Sequence, residues 1–518
     1  MSGLNKAKNY EDFKNAVKYA KDYFLSTYYS LDPLRKDQSA KYKPGNVPRF
    51  ECSEPKFRPM VRIVSHYDAD GLSSAGILAR AFLRNRIPFQ ISILKQLEES
   101  NLLELIGRIL KQSIDFFIFS DFGTSQYNLI KQHLKFPFLI LDHHSPDENQ
   151  EIPREPFHVN PHFFGIDGTY EISGAGVVYF FVKYLNPNNT DLSTIALVGA
   201  TGDIQTKSAT GDFIGLNQEI QNDAIASKEI EIQKDLNIDR HSFLPKALAF
   251  TFRLGMEIPG ITNNIKGCEE FIKGQGIRLY TDLKEPRSLS MLTMHEKQKL
   301  NSALLKHMFI DSHLPKELMN QLFISYYIIK SPVYGGKIAD TREFSSLLNA
   351  CGRMANPSIG IAVILGDETA FEASNAILKK YKESLALGIK YAKEYKESKK
   401  NIYVINGKDI IHENIIGTIS SILNFDKESP IEKPILAYAQ SNEGFVKVST
   451  RCPEDLIQKG IDLSIAVKNS AEKIGLHDIS GGHKASAGAK IPKEKINDFI
   501  LAFDDQIGIQ IQNISQNL

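Results

Sequence analysis

The sequence predicts an α/β protein: a parallel-sheet domain, then a helical insert, then a smaller α/β C-terminal domain. Three observations carry that expectation. Short β-rich runs (VRIVSH, FQISIL, DFFIFSD and FPFLILDHH) alternate with helix-length stretches between residues 61 and 144, which is the pattern of parallel βαβ units. These runs are apolar nearly throughout, as in strands covered on both faces of a sheet. Strand-like NIYVIN, PILAYAQ and FVKVSTR then return after residue 400.

The elements follow in order. Phe13, Val17, Ala20 and Phe24 recur at spacings of four, three and four, the signature of an amphipathic helix over 11–30. The next stretch, LDPLRKDQSAKYKPGNVPRFECSEPKFRP, is rich in Pro, Lys and Ser and reads as an irregular tether. Helices are expected over 73–84, 97–111 and 125–133, between the four strand-like runs. Residues 226–400 look mostly helical, with breaks near Pro259, at 274–276 and at Pro286. PILAYAQ and FVKVSTR face each other across residues 441–444 as a hairpin, and a helix follows Pro492. The expected divisions are 1–56 (helix and tether), 57–225 (parallel-sheet domain), 226–345 (helical insert) and 346–518 (C-terminal domain).

Composition narrows the class. A chain of 518 residues suggests three domains at roughly 150 residues each. Lysine plus arginine number 62 against 61 acidic residues, a net charge of +1. That balance excludes a polybasic wrapper, so any nucleic-acid contact must come from a local patch. Residues 379–400 offer one, with eight lysines against three glutamates and Tyr381, Tyr391 and Tyr395 between them. Two readings stand: a surface that tracks phosphates while tyrosines stack bases, or an amphipathic helix with Leu385, Ile389 and Ala392 as its apolar stripe. Apolar runs such as 116–119 and 136–141 are far below the roughly 20 residues that span a bilayer. The polar N-terminus is no secretory signal. Cys52, Cys268, Cys351 and Cys452 are scattered without paired spacing, so neither a disulfide framework nor a zinc ribbon is expected. The expected setting is cytoplasmic, with no membrane partner.

In open parallel α/β sheets, function gathers at the carboxyl ends of strands. Four segments here carry acid or imidazole: 65–71 (SHYDADG), 119–123 (FSDFG), 141–144 (LDHH) and 199–203 (GATGD), the last closing an apolar helical segment. Asp68 and Asp70 are two apart, so in an extended segment they share a face, and Gly71 permits the turn into a helix. A strand-end Asp taken alone reads more simply as an N-cap. Together, however, Asp68, Asp70, Asp121, His143 and Asp203 would crowd four carboxylates that repel one another without cations. Hard oxygen ligands with imidazole suit Mn²⁺ or Mg²⁺, and carboxylate-bridged ions form a two-metal hydrolytic site.

The order DADG, isolated strand-end Asp, DHH and later GD closely resembles the four motifs of the DHH phosphoesterase superfamily. Downstream, Ser480-Gly481-Gly482-His483 resembles the glycine-rich loop of the DHH-associated C-terminal domain, with Ser480 where many relatives carry a third glycine. The stretch 347–354 (LLNACGRM), with 359–367 after it, resembles the archaeal RecJ branch, which includes the GINS-associated nuclease. This resemblance covers about 57–505 and assigns no role to the N-terminal 55 residues. It implies a nuclease with two divalent metal ions, Mn²⁺ preferred and Mg²⁺ allowed. Asp68 would hold the first ion, Asp70 and His143 the second, Asp121 both, and Asp203 would complete the second site. His66 would be an extra ligand of the first ion or a hydrogen-bonded support, and Asp142 would orient the histidines. His144 would contact the scissile phosphate. Gly481, Gly482, His483 and Arg353 would bind substrate. The activity implied is a single-strand-specific exonuclease on DNA or RNA, in DNA replication or repair, with GINS and replicative helicase proteins as partners. The alternatives are a helicase-associated structural subunit and a short-oligonucleotide phosphodiesterase.

Overall fold

The computed structural model describes residues 3–31, 59–109, 115–146, 154–206, 210–250, 257–424, 431–441, 444–477 and 480–516. The expected tether falls outside them over 32–58. The chain forms two compact units, one of residues 1–352 and 357–371, the other of 353–356 and 372–518.

The first unit is built on a five-stranded sheet, all of its pairings parallel, in the order β2-β1-β3-β4-β5. Its strands are β1 (Val61–His66), β2 (Phe89–Leu94), β3 (Phe116–Ser120), β4 (Phe138–Leu141) and β5 (His158–Val159). The four expected strands are present, and only the two-residue β5 was not foreseen, being too short to carry a periodic signal. The helices are α1 (Gly3–Ser30), α2 (Ala69–Arg84), α3 (Glu99–Ile109), α4 (Tyr127–His133), α5 (Gly174–Leu185), α6 (Ser193–Gly202) and α7 (Gly215–Ala226). β1 and β3 are buried almost throughout, as their unbroken apolar sequence requires. α2, α5 and α6 pack against one another, and Gly199 on α6 admits Ala175 of α5 and Ser73 of α2 at close range.

α1 is integral to this unit. Phe13, Val17, Ala20 and Phe24 are fully buried. Phe24 stacks on Phe82 at 5.7 Å and meets Phe116 and Phe181 edge-on.

Residues 226–345 are not all helix, contrary to the expectation. β6 (Ile230–Leu236) and β7 (Phe323–Ile329) form an antiparallel ribbon that brackets α8 (Leu244–Phe250), α9 (Ile265–Gly274), α10 (Met294–Lys306) and α11 (Met319–Leu322). β6 alternates apolar and charged side chains only at its start, and β7 (FISYYII) is a short apolar run that periodicity cannot assign. The helices close a separate core around Leu248, Cys268, Ile272, Leu300 and Leu304. α12 (Thr341–Arg353) and α13 (Pro357–Leu365) return to the sheet domain, where α13 packs on α2.

In the second unit, after α14 (Glu368–Tyr395), six strands lie in the order β12-β13-β11-β10-β9-β8. These are β8 (Glu397–Ser398), β9 (Tyr403–Asn406), β10 (Ile435–Gln440), β11 (Phe445–Arg451), β12 (Ser480–His483) and β13 (Ser486–Pro492). The expected hairpin is β10–β11. α15 (Glu413–Asn424) packs on β10 and β11. After the short α16 (Glu454–Lys459), α17 (Leu463–Lys473) and α18 (Ile496–Gln516) bring Leu463, Val467, Phe499 and Phe503 into the core. Tyr381 and Tyr391 are buried and Tyr395 is exposed. Residues 379–395 of the lysine-rich stretch are therefore part of an amphipathic helix, and two of its three tyrosines have no face to offer a base.

Candidate metal centre

β1, β3 and β4 are adjacent and parallel, so their carboxyl ends share one rim. That rim receives His66–Asp70, Asp121 and Asp142–His144, and the C-terminal end of α6 adds Asp203 as its cap. Buried hydroxyls tie the strand ends together, with Ser120 Oγ donating to Ser65 Oγ at 2.9 Å and Ser65 Oγ donating to the Gly71 carbonyl at 2.8 Å. Asp68 is indeed the N-cap of α2, accepting from the Gly71 N–H. Its other oxygen lies 2.9 Å from His66 Nδ1. The capping and clustering roles thus coexist in one side chain.

Three overlapping donor sets result, each with its atoms within 4.8 Å: His66, Asp68 and Asp121; Asp70, His143 and Asp203; Asp121, His143 and His144. Asp121 belongs to two of them. Its backbone is left-handed (φ 61°), a conformation tolerated by Asp better than by most side chains, which turns the carboxylate back over the strand ends. Both carboxylate oxygens of Asp121 and Nε2 of His143 are buried without a hydrogen-bond partner among the described residues. His143 Nε2 stands 3.3 Å from both Asp121 and Asp203 and 3.6 Å from Asp70, close enough for attraction. Buried polar atoms are seldom left so. An unpartnered oxygen pair between carboxylates and imidazoles fits a hard divalent cation.

Each donor is braced. Asp70 accepts from the Gly174 and Ala175 N–H groups at the N-terminus of α5, at 2.6 and 3.0 Å. His143 Nδ1 donates to the Gly168 carbonyl at 2.7 Å, which leaves Nε2 with its lone pair toward the carboxylates when the ring is neutral. Asp142 accepts from the N–H groups of Thr124, His143 and His144 and from His144 Nδ1. Burial opposes its charge, yet His144 and His143 hold its carboxyl far below the usual range. Asn160 donates to the His144 carbonyl and to Thr124 Oγ1, both at 2.9 Å.

The electrostatics record crowding. Burial, then the Asp121 carboxylate, pushes Asp70 up to about 7. Burial and Asp70 likewise raise Asp203 well above its ordinary value. For His66 and His143 burial works against protonation, but the surrounding carboxylates outweigh it and raise both. Excess negative charge here takes up protons or cations.

The sequence reading missed several supports. A Cβ on Gly199 would lie 2.3 Å from Asp70 Oδ1, and one on Gly174 would lie 2.7 Å from Asp121 Oδ1. Only glycine admits the carboxylates there. Asn349 accepts the Ala69 N–H at 3.1 Å, tying α12 to the DADG turn. The small residues of 173–176 (SGAG) were the available signal, unused because they carry no chemistry of their own.

The remaining expected residues lie in the second unit. Arg353 donates to the Asn414 carbonyl at 3.2 Å and accepts its side-chain amide through its own carbonyl. Nearby Arg451, unforeseen, donates to Ser421, Ser449, Thr450 and Gly417. Burial, then the Arg353 charge, pushes Arg451 down to about 10. Gly481, Gly482 and His483 lie on β12, an edge strand paired with β13, rather than in a loop. Gly482 there takes φ 142°.

Family models agree with this anatomy. The DHH family N-terminal domain matches residues 60–202, the DHH-CID domain 241–323 and the DHHA1 domain 399–508. The uncharacterized protein MJ0831 of Methanocaldococcus jannaschii is 31% identical over 454 residues, 87% of this chain and 94% of that protein. The chain belongs to the RecJ-like DHH superfamily. This DHH protein is also 25% identical over 173 residues to the single-stranded-DNA-specific exonuclease RecJ of Haemophilus influenzae, 31% of this chain and 28% of that one. In fold it resembles CDC45 of Entamoeba histolytica (TM-score 0.59, 12% identity, covering 87% of this chain and 95% of that one). It also resembles RecJ of Thermus thermophilus, solved with Mn²⁺ (TM-score 0.52, 15% identity, covering 87% of this chain). The DHH protein spans about half, 52%, of the Thermus chain. Among its described residues no helix is long and apolar enough to cross a membrane.

Proposed function

We propose that this DHH protein is a metal-dependent exonuclease that hydrolyses phosphodiester bonds of single-stranded DNA or RNA with two divalent cations, Mn²⁺ in preference to Mg²⁺. The observation that carries this reading is the buried Asp121 carboxylate, without hydrogen-bond partners among the described residues and shared between donor sets. His66, Asp68 and Asp121 would hold one ion, and Asp70, His143, Asp203 and Asp121 the other. Bound there, such ions supply water acidified to near neutrality and draw charge from phosphorus.

The protein's own groups do the rest. Asp142 fixes His144 through Nδ1, which leaves Nε2, on a half-exposed ring, to donate to a phosphoryl oxygen as charge develops. Burial and His143 work against protonation of His144, but Asp142 outweighs them and raises its pKa above the ordinary value, which favours the protonated, donating ring. Arg353 suits a substrate phosphate, because a guanidinium fork binds phosphate bidentately. The edge strand carrying Gly481, Gly482 and His483 offers backbone donors suited to a phosphate. The family relationship further supports a role in DNA replication or repair with docking on GINS and replicative helicase proteins, which copurification tests.

The direct test is an Mn²⁺-dependent assay on end-labelled single-stranded DNA and RNA, short oligomers and duplex side by side. A ladder from single strands is expected. Asp121→Ala and His144→Ala should each lower the rate by roughly 10² to 10⁴, and near-normal hydrolysis by either variant would overturn the reading.

A further inference from the structure

α1 lies upstream of every matched family domain, yet its first turns reach the loop that holds two of the metal-site side chains. Tyr10 Oη donates to Glu171 Oε1 at 2.6 Å, and Lys6 Nζ lies 2.6 Å from the same oxygen. Glu171 is buried, its side chain only 6% exposed. Its other oxygen accepts the Asp167 N–H at 3.1 Å, while the Glu171 N–H donates to the Asp167 carbonyl at 2.9 Å. The carboxylate thus closes residues 167–171 into a compact turn. Phe13, one turn further along α1, meets Phe164 edge-on at 5.9 Å at the start of the same loop.

Two outputs leave this turn. Gly168, inside it, offers the carbonyl that His143 Nδ1 and Gln205 Nε2 both address, at 2.7 and 2.9 Å. That carbonyl fixes which imidazole nitrogen faces the carboxylates. Two residues after Glu171, Ser173 caps α5, whose first N–H groups hold both oxygens of Asp70. His143 and Asp70 belong to the same donor set.

We propose that Lys6 and Tyr10 are positioning residues: by clamping Glu171 they set the 167–173 loop, and through it the orientation of His143 and Asp70. The proposal rests on the metal-site reading but not on the hydrolytic one. It gives the N-terminal helix a task beyond filling the core. Filling the core is the work of Phe13, Val17, Ala20 and Phe24, whereas the Tyr10 hydroxyl and the Lys6 ammonium add only polar contacts to Glu171.

The test uses the full chain with Lys6→Met and Tyr10→Phe combined, which keeps the apolar body of each side chain. Lys14→Met is the control: it removes ion pairs of the same helix with Glu11 and Glu219 that do not touch the loop. Mn²⁺ affinity is read by titration calorimetry, and the His143 ring nitrogens by ¹⁵N NMR of the metal-free protein. The double variant should bind Mn²⁺ roughly 10-fold more weakly, as when partners behind a ligand are lost, and should shift the His143 resonances. Lys14→Met should do neither, although both variants lower the unfolding temperature. Unchanged affinity and resonances in the double variant, or an equal change in Lys14→Met, would overturn the proposal. Wild-type protein that binds Mn²⁺ but cuts no nucleic acid would refute the exonuclease reading while leaving the clamp standing. Wild-type protein that binds no Mn²⁺ would overturn both.

Discussion

Asp70 and Gly199 meet at close quarters in the candidate metal centre. The carboxylate lies where a methyl group would have to go, 2.3 Å from an ideal Cβ. The obstruction is a fixed, hydrogen-bonded oxygen rather than a flexible side-chain end. Gly199→Ala should therefore displace Asp70 from its α5 donors and weaken Mn²⁺ binding by roughly 10- to 100-fold, the range seen when a ligand's support is removed. A circular dichroism spectrum kept intact beside normal Mn²⁺ affinity would contradict that. The clustered residues were legible because carboxylates and imidazoles at strand ends are chemically conspicuous. Gly199 and Gly174 were not, since the need for an absent side chain shows only when the neighbouring atoms are placed.

Among elements, β5 shows the same limit. Two residues, His158 and Val159, carry no periodicity, yet His158 anchors the network behind the DHH segment. Its Nε2 lies 3.1 Å from Thr124 Oγ1, and its ring stacks on Tyr127 at 5.5 Å. Burial pushes the imidazole down to about 4 from an ordinary 6.5. The unfolded chain thus takes up a proton there first as pH falls, and the folded state loses stability between about pH 6.5 and 4, by roughly 3 kcal/mol at the lower end. His158→Gln keeps a group for Thr124 and cannot titrate, so its unfolding free energy should fall less over that window in urea titrations at stepped pH. An identical pH dependence in both proteins would exclude His158 as the source. α1, by contrast, was readable from spacing alone, because four buried positions on one face of a helix leave a periodic trace. β6 and β7 left none: one mixes charge into its alternation and the other is apolar throughout.

At the scale of the whole molecule, the fold class followed from the alternation of apolar runs with helical stretches, and the centre joins pieces distant in sequence. Asp68, Asp121, His143 and Asp203 come from four separate segments, so the cluster's charge is a property of the folded chain. Asp70 is held up to about 7 and His143 is raised by its carboxylate neighbours. Asp70 carries a proton over part of the neutral range that a cation must displace. Mn²⁺ binding should then release protons near pH 6.5, and affinity should rise as pH increases through 7. Calorimetry in two buffers of different ionisation enthalpy measures this directly, and equal heats in both would disprove it.

The embrace between Tyr10 and Glu171 spans 161 positions of the polypeptide. A ribosome adding roughly 5 to 20 residues each second needs on the order of ten to thirty seconds to deliver the second partner after the first. Throughout that interval the oily face of α1 is only partly covered: the strands it lies on come first, but Phe180 and Phe181 of α5, which meet Phe13 and Phe24, do not. The period before α5 emerges is therefore when that uncovered part of α1 is most exposed to chaperones and to other copies of the nascent molecule.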